Sequence, residues 1–561
     1  MTLSKRRLNV GKRQPVVPYK SFGSLPPIIP SSGILLPSGV MLRAIDGETM
    51  TSSTTMSNNY YGRNGFTQAA ALGWDNPAII PNGPFLPIYD NAVIANSVDT
   101  FADLGWCTIW GDDTNNPPDQ TAMTAHNVSC VVAGAGIPIT TANYNAAGFV
   151  GALAQDEPLT WGEISSPITS AVNSWQDSRF WWVNVTWTGI GGGPSNMMSN
   201  GGIPSGVNTW NDVLAYQFVT PSSRHRKIDL FSIDQYWFAG ARDLDWGPMF
   251  MLGAGNVLDL CFGGTTSDQA CRGTHYGNSI DIMRTYQPAG NGVGTAPISA
   301  YLETGNPFTH DPGDGSTYIL AHELVWSMWG MIVHGARYFL WFDKSFTGPG
   351  QDVNNLTNNA YYKTVVSGQT MSIYNAVKST TAVVNQLAPV INSPFAIGYC
   401  TVSPAGYVYP TPNNSFSNSI DLSTHWYNNK FYLFATTRAS QTATNTSATF
   451  TINSNASASQ ATALNEAVMI ASLSGTTLTV AQIVENTITT GMPIFGTNIP
   501  AGATISGQLT GTTGGIGTYT LSASGTAAST VCTGTKTISI SGHQFTDVFP
   551  KASTAKVYRI D

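Results

Sequence analysis

Eight short apolar runs constrain the fold more strongly than any other feature of this sequence. Longer segments separate the runs, and several of these segments have helical character, which is typical of βαβ units and a parallel sheet. The runs occupy residues 83–89, 107–113, 128–135, 149–158, 179–187, 229–237, 298–305 and 336–343. The predicted helices occupy residues 91–105, 161–176, 316–335 and 360–391. Eight such repeats in roughly 300 residues predict an α/β fold, a (β/α)8 TIM barrel, which we assign to residues 81–394.

The parts of the chain outside the predicted barrel differ from it in composition. Residues 1–80 are rich in Pro, Ser and Gly, and we interpret them as an extended N-terminal arm that wraps the next domain. Residues 395–466 and 536–561 show the alternation of β-strands, which predicts a C-terminal β-sandwich. Residues 467–535 contain Glu485 as their sole acid and neither Lys nor Arg. Because the strand patterns on both sides of this segment need each other to complete a sheet, we interpret it as an inserted β-module.

Low charge and a high aromatic content restrict the possible function classes. Charged residues make up 10% and aromatic residues 11% of the chain, which contains 15 Trp. This composition is typical of an extracellular or virion protein that handles neutral polar ligands such as sugars. A net charge of −7 gives no basic surface for nucleic acid. The sequence has no run of 18 apolar residues to span a membrane, and no apolar segment follows the basic N-terminus as in a signal peptide.

The predicted strands end mainly in carboxylates and aromatic side chains. In a (β/α)8 barrel the carboxyl ends of the strands carry the active site, and long loops such as residues 188–210 and 239–275 surround it. In glycoside hydrolysis one carboxylic acid protonates the leaving oxygen, a second carboxylate attacks or activates water, and aromatic faces stack on sugar rings. This chemistry needs no cofactor and no metal. The candidate residues are Trp110, Asp112, Asp156, Glu157, Asn184, Trp187, Asp234, Tyr236, Glu303 and Trp341.

Structural roles compete with these functional ones. Glu157 is also placed to interact with the dipole of a following helix. Asp234 and Tyr236 are equally suited to close a structural hydrogen-bond network, and a barrel Trp is more often a core residue than a sugar platform. The sequence HELVW, which contains His322 and Glu323, lacks the second His of the HExxH motif, so we predict no zinc site there.

The positions of two glutamates resemble a known superfamily. Glu157 follows the fourth predicted strand in the sequence AQDEP, and Glu303 follows the seventh in AYLETG. This placement is similar to that in the retaining glycoside hydrolases with a (β/α)8 barrel, and the ending GHQFTDVFPKASTAKVYRI is similar to their C-terminal β-domains. The resemblance covers about residues 83–465 and 536–561. It implies that Glu157 is the acid/base and Glu303 the nucleophile of a double displacement. Asp156 stands where many members have Asn, and its negative charge favours a protonated Glu157.

A second resemblance concerns the inserted module. The sequence TGTTGGIGTYTLS within it is similar to Gly/Thr-rich modules that are common in bacteriophage tail and virion proteins. Together the two resemblances imply a phage-associated enzyme that cleaves a bacterial surface or extracellular glycan, with a virion or extracellular location. Its expected partners are an oligo- or polysaccharide and other virion proteins or a second copy of the chain. The alternative is a non-catalytic virion structural or glycan-binding protein on a TIM barrel. An open pocket between Glu157 and Glu303 would favour catalysis, and a filled one would favour the alternative.

Overall fold

A computed structural model describes the C-terminal part of the chain almost completely and the preceding part in segments. The described residues are 36–43, 49–50, 80–85, 104, 108–111, 129–133, 149–156, 180–186, 230–234, 236, 238, 272–285, 298–305, 319–336, 338–342, 360–391, 393–409, 411–412, 419–438, 445–550 and 554–561. Predictions for the helices over residues 91–105 and 161–176 lie outside these residues.

Two short strands come first in the chain, and eight parallel strands follow. The first two are β1 (Met41–Arg43) and β2 (Thr49–Met50). The parallel strands are β3 (Ile80–Phe85), β4 (Thr108–Gly111), β5 (Ser129–Ala133), β6 (Phe149–Asp156), β7 (Phe180–Thr186), β8 (Leu230–Asp234), β9 (Ile298–Glu303) and β10 (Tyr338–Phe342). Each of the eight apolar runs overlaps one of these strands.

The order of the parallel strands follows the chain. They form one sheet in the order β3-β10-β9-β8-β7-β6-β5-β4, so the last strand in the chain pairs with the first. The two strands at the ends of this order, β3 and β4, also approach each other to within 8 Å between Cα atoms. This is the arrangement that a closed (β/α)8 barrel requires.

Four helices are described, and they agree only partly with the sequence. They are α1 (Arg272–Thr285), α2 (Ala321–Val333), α3 (Ala360–Lys363) and α4 (Ile373–Ile391). The prediction of α2 is confirmed, and its first turn is capped because the Leu320 N–H donates to Glu323 Oε2 at 2.7 Å. The single helix expected over residues 360–391 is wrong. Gly368 has a φ of +83°, which interrupts the helix between α3 and α4.

Helix α1 was missed by the sequence reasoning, which assigned residues 239–275 to a loop. Gly273 and Gly277 lower its intrinsic helix propensity. The same residues let α2 pack closely, because a Cβ atom on Gly273 would lie 2.2 Å from the Trp326 ring and one on Gly277 would lie 2.6 Å from the His334 ring. Packing between helices therefore decides the conformation here, against local preference.

The C-terminal strands form two sheets. The strands are β11 (Phe395–Ile397), β12 (Cys400–Ser403), β13 (Ala405–Val408), β14 (Thr411–Pro412), β15 (Ile420–Tyr427), β16 (Lys430–Thr437), β17 (Thr446–Ile452), β18 (Gln460–Asn486), β19 (Ile494–Gly496), β20 (Ile505–Gly511), β21 (Gly517–Ser539), β22 (Gln544–Phe549) and β23 (Ala555–Ile560). The larger sheet has the order β19-β21-β18-β23-β16-β15-β11-β1-β2, and the smaller one has the order β12-β17-β22.

Two separate hydrophobic clusters stabilise this region. The first combines side chains of both sheets, such as Leu433 from the larger and Phe450 from the smaller. It also contains Leu42, because β1 pairs with β11 in antiparallel register. The described part of the predicted N-terminal arm therefore joins the C-terminal sheet, and the expectation that the arm wraps the next domain does not hold for residues 41–43. The second cluster lies entirely within residues 467–532.

The described helices include none that combines the length and apolarity needed to cross a lipid bilayer.

Candidate functional site

Glu303 lies at the carboxyl end of strand β9 and is completely buried. All six residues of this strand, ISAYLE, are buried, as expected for a parallel strand covered on both faces. Because side chains alternate along a strand, Ser299, Tyr301 and Glu303 share one face. The strand therefore fixes both the position and the direction of the carboxylate.

Two donors from two other elements hold this carboxylate. The backbone N–H of Phe238, four residues after β8, donates to Glu303 Oε1 at 2.7 Å. The hydroxyl of Tyr276 in α1 donates to the same oxygen, also at 2.7 Å. An N–H···O distance this short is typical of an ionised acceptor. A buried carboxylate needs such donors to replace its hydration, and the two donors fix the position of Oε1.

A row of buried polar side chains crosses the sheet on the same face. Asn184 in β7 is the register partner of Ser232 in β8, which in turn is the partner of Ser299 in β9. The Ser232 hydroxyl donates to Asn184 Oδ1 at 2.7 Å, so these side chains point to the same side of the sheet. Asn184 is also the register partner of Asp156, the last residue of β6. The row therefore leads from the end of β6 to the strand that carries Glu303.

Aromatic rings lie beside Glu303. Phe342 in β10 is its register partner, and the ring of Tyr236 lies 5.0 Å from the Phe342 ring. On the other side, the rings of Phe238 and Tyr276 stack at 6.5 Å. Tyr236 is largely buried at 7% exposure. The residues that pair with Glu303 or donate to it are thus aromatic.

Trp341 has a different environment from the one predicted. It is completely buried, and its register partner is Leu302, so alternation puts it on the opposite face of the sheet from Glu303. This is the position of a core residue. A sugar platform would have to share the face of Glu303.

The remaining predicted site residues are described in part or not at all. Trp110 lies in β4, and Asp234 ends β8 opposite Thr186, but only their backbones are described. The side chain of Asp156 is likewise outside the description, and so are Asp112, Glu157 and Trp187 altogether. Of the predicted residues, the structure therefore places Asn184, Tyr236 and Glu303 on or beside one face of strands β7 to β10. Sequence reasoning missed Tyr276, because nothing in the sequence indicated helix α1.

The HELVW sequence has a structural role in helix α2. Glu323 accepts the hydrogen bond that caps the helix, and His322 Nδ1 lies 2.8 Å from Gln369 Oε1. Within the described ranges, His, Cys, Asp and Glu side chains form no group of three or more that could hold a metal ion.

Comparisons with known proteins give only distant structural likenesses. No protein-family model matches the sequence, and a search of curated proteins finds no match. Among solved structures, a GH30 endoxylanase from Clostridium papyrosolvens is 12% identical with a TM-score of 0.34, covering 86% of this chain and 96% of that one. A family 5 glycoside hydrolase from Bacteroides vulgatus is 8% identical with a TM-score of 0.33, covering 81% and 88%. A family 51 α-L-arabinofuranosidase from Bifidobacterium longum is 10% identical with a TM-score of 0.31, covering 83% and 89%.

Proposed function

We propose that this chain is a glycoside hydrolase that cleaves a bacterial surface or extracellular glycan with retention of configuration. In this mechanism Glu303 is the nucleophile. The position of its carboxylate and the hydrogen bonds to it support this role. The carboxylate stands at the carboxyl end of a buried parallel strand, with Oε1 held by two donors at 2.7 Å. Parallel (β/α)8 sheets carry their catalytic groups at this end. We propose that the eight parallel strands form a closed barrel, because β3 approaches β4, and that the C-terminal strands form a sandwich.

The two donors on Oε1 suit both steps of a double displacement. In the first step the Glu303 carboxylate attacks the anomeric carbon, and its negative charge is consumed as the glycosyl–enzyme bond forms. In the second step water replaces the protein at that carbon, and the charge returns to the carboxylate. The Phe238 N–H and the Tyr276 hydroxyl are already in place to stabilise the returning charge, so no reorganisation is needed.

Glu157 completes the mechanism as the acid/base. It donates a proton to the leaving glycosidic oxygen and then removes one from the attacking water. Its neighbour in sequence, Asp156, ends β6 and is paired with Asn184 of the polar row. A retaining mechanism requires a separation of about 5–5.5 Å between the two carboxyl groups. The Gly/Thr-rich module supports the further proposal that the enzyme is phage-associated and acts from a virion or outside the cell.

A glycan hydrolysis screen with matched variants tests the proposal. We expect Glu303→Gln to lower kcat/KM by at least about 10³-fold, and Glu157→Gln to lower it by about 10²–10⁴-fold. Glu323→Gln is the control, because it makes the same chemical change in helix α2, where Gln also serves as a cap. NMR of the first product should show the anomeric configuration of the substrate. Hydrolysis that survives in Glu303→Gln would overturn the assignment.

The enclosure of Glu303 favours a second candidate, a non-catalytic virion structural or glycan-binding protein. Glu303 is 0% exposed, and burial of this kind is typical of a carboxylate with a structural role. In that case the wild type binds glycans on an array without releasing product. Glu303→Gln would then lower the melting temperature and leave glycan binding unchanged.

A further inference from the structure

Four charged side chains meet where the inserted module leaves the C-terminal sheets. They come from four strands: Glu466 from β18, Lys536 from β21, Asp547 from β22 and Lys556 from β23. The side chains of Lys556 and Asp547 are each only 1% exposed. Lys556 Nζ lies 2.7 Å from Asp547 Oδ2 and 2.8 Å from Glu466 Oε2. A buried amine and a buried carboxyl group are therefore in contact, and a second carboxylate that is 16% exposed contacts the same amine.

The two oxygens of Asp547 have different partners. Oδ1 accepts hydrogen bonds from Lys536 Nζ at 2.6 Å and from the backbone N–H of Val548 at 2.9 Å. Oδ2 accepts from Lys556 Nζ and from the Tyr558 hydroxyl, which lies 3.0 Å away. Negative charge that develops on Oδ1 would thus face a cation and an N–H, as in an oxyanion hole. Oδ2 is the oxygen beside the buried amine and a hydroxyl that can donate to it.

Aromatic rings lie beside the buried end of the cluster. Lys556 Nζ lies 5.7 Å from the centre of the Phe549 ring, and the Phe545 and Tyr558 rings meet edge to face at 5.3 Å. Burial raises the pKa of Asp547, but the charges of Lys556 and Lys536 outweigh it and hold that pKa below its usual range. The resting cluster is therefore ionic.

We propose that Lys556 and Asp547 form an intramolecular isopeptide bond and that Glu466 carries the protons. Glu466 takes one proton from the Lys556 ammonium and passes it to Asp547 Oδ2, which leaves a neutral amine beside a neutral carboxylic acid. The amine attacks Cγ, the Nζ–Cγ bond forms, and the negative charge on Oδ1 is stabilised by Lys536 and Val548. Nζ then loses a second proton through Glu466 to Oδ2, the Cγ–Oδ2 bond breaks, and Oδ2 leaves as water. One hydrogen stays on the amide, Glu466 is restored, and no oxidant or co-reactant is consumed.

The bond would tie the two C-terminal sheets together. Asp547 belongs to β22 of the smaller sheet, and Lys556 belongs to β23 of the larger one. Lys536 is the other lysine that contacts Asp547. It contacts Oδ1 and is 45% exposed, whereas Lys556 is buried. Exposure keeps the Lys536 amine hydrated and charged, so the buried Lys556 is the nucleophile.

The mass of the intact chain tests the inference directly. We expect the purified full-length protein to be lighter than its sequence by one water. Trypsin cleaves after Lys551, between the two residues, so the peptides over 537–551 and 552–559 should be recovered joined. Lys556→Arg and Glu466→Gln should have their full sequence masses, with folding checked by circular dichroism. Lys536→Arg should still lose one water, and Asp547→Asn should lose ammonia instead.

Two results would overturn the inference. A wild-type chain of full sequence mass, with separate peptides after digestion, would show that the cluster is an ionic network only. Loss of the bond in Lys536→Arg together with its retention in Lys556→Arg would assign the bond to the other lysine. Both results are independent of whether the protein hydrolyses glycans.

Discussion

Helix α1 contacts Glu303 through the Tyr276 hydroxyl, which gives a test at the scale of one residue. Tyr276→Phe removes a 2.7 Å hydrogen bond to Oε1 and keeps the ring that stacks on Phe238. A hydrogen bond to a charged group contributes about 1.5–3 kcal/mol. We therefore expect kcat/KM to fall about ten- to hundredfold. Steady-state kinetics on the glycan found in the screen would measure this.

The pH profile separates a role in catalysis from a role in packing. Removing a donor makes the ionised form of Glu303 less stable, so the acidic limb of the profile should move to higher pH. Tyr519→Phe is the matched control, because its hydroxyl donates to Gly515 O at 2.6 Å far along the chain in the inserted module. If Tyr276→Phe changes neither the rate nor the acidic limb, the hydroxyl does not position the nucleophile.

Reasoning from the sequence finds the position of Glu303 at the end of a buried strand, but it does not find Tyr276 or the orientation of Trp341. A carboxylate after an apolar strand is a local pattern, and counting runs is enough to find it. Tyr276 contacts Glu303 from helix α1. That helix contains two glycines, which lower its helix propensity, so the sequence does not predict it. Trp341 stands next to Phe342, the register partner of Glu303, and the alternation of strand residues turns it to the other face.

At the scale of elements, His334 joins the helices to the C-terminal sheet. It follows α2 directly and is completely buried. Nδ1 lies 2.6 Å from Asp281 Oδ2 in α1, and Nε2 lies 3.1 Å from Asp421 Oδ2 in β15. The Tyr407 ring of β13 stacks on the imidazole at 3.9 Å, and Arg438 Nε lies 3.6 Å from Asp421 Oδ1. Because both ring nitrogens face carboxylates, the arrangement suits a protonated imidazolium that donates twice.

This junction predicts a dependence of stability on pH. Burial lowers the pKa of His334, but the charges and hydrogen bonds of Asp281 and Asp421 outweigh it and raise the pKa above its ordinary value of 6.5. The stabilisation is therefore fully present below about pH 6.5, the unfolded value, and is lost as the pH rises through the folded value. His334→Gln should cost about 3–5 kcal/mol at acidic pH and flatten the dependence.

Urea unfolding at a series of pH values would measure the effect of His334. The control is His543→Gln, which changes an exposed histidine in the turn before β22. It should leave the pH dependence of the free energy of unfolding unchanged. If His334→Gln and the wild type lose stability in parallel as the pH rises, the junction does not depend on protonation of this residue.

At the scale of the whole molecule, sequence composition identifies long segments such as the inserted module but not short ones such as strand β1. The sequence predicts the limits of the module from a long stretch that contains almost no charge, although strands β18 and β21 each run across one of these limits. Its apolar residues form a cluster within residues 467–532, separate from the cluster that β16, β17 and β23 share. The pairing of β1 with β11 could not be predicted, because it depends on three residues, Met41 to Arg43, within a segment rich in Pro and Ser. A contact between chain regions this far apart leaves no local pattern.

The separation of the two clusters predicts that the module can be removed without unfolding the rest of the chain. Ala467 and Gly534 are register partners on the antiparallel strands β18 and β21, so their backbones are already neighbours. Replacing residues 468–533 by Asn-Gly would leave this pair on either side of a tight turn that closes the shortened hairpin. The deletion removes three described side-chain hydrogen bonds with neighbouring regions. They are Thr370 Oγ1 to Ile483 O at 2.7 Å, the Ser372 N–H to Gln482 Oε1 at 3.3 Å, and Asn465 Nδ2 to Glu485 Oε2 at 3.0 Å.

Loss of three hydrogen bonds at about 1 kcal/mol each should lower the melting temperature by about 6–12 °C, with unfolding still cooperative in calorimetry. Thr370→Val keeps the module and removes one of these hydrogen bonds, so it should account for about a third of the shift. A deletion variant that no longer unfolds cooperatively would show that the core shared by both sheets needs the module. In that case the two hydrophobic clusters, which the long strands β18 and β21 connect, would fold as a single cooperative unit.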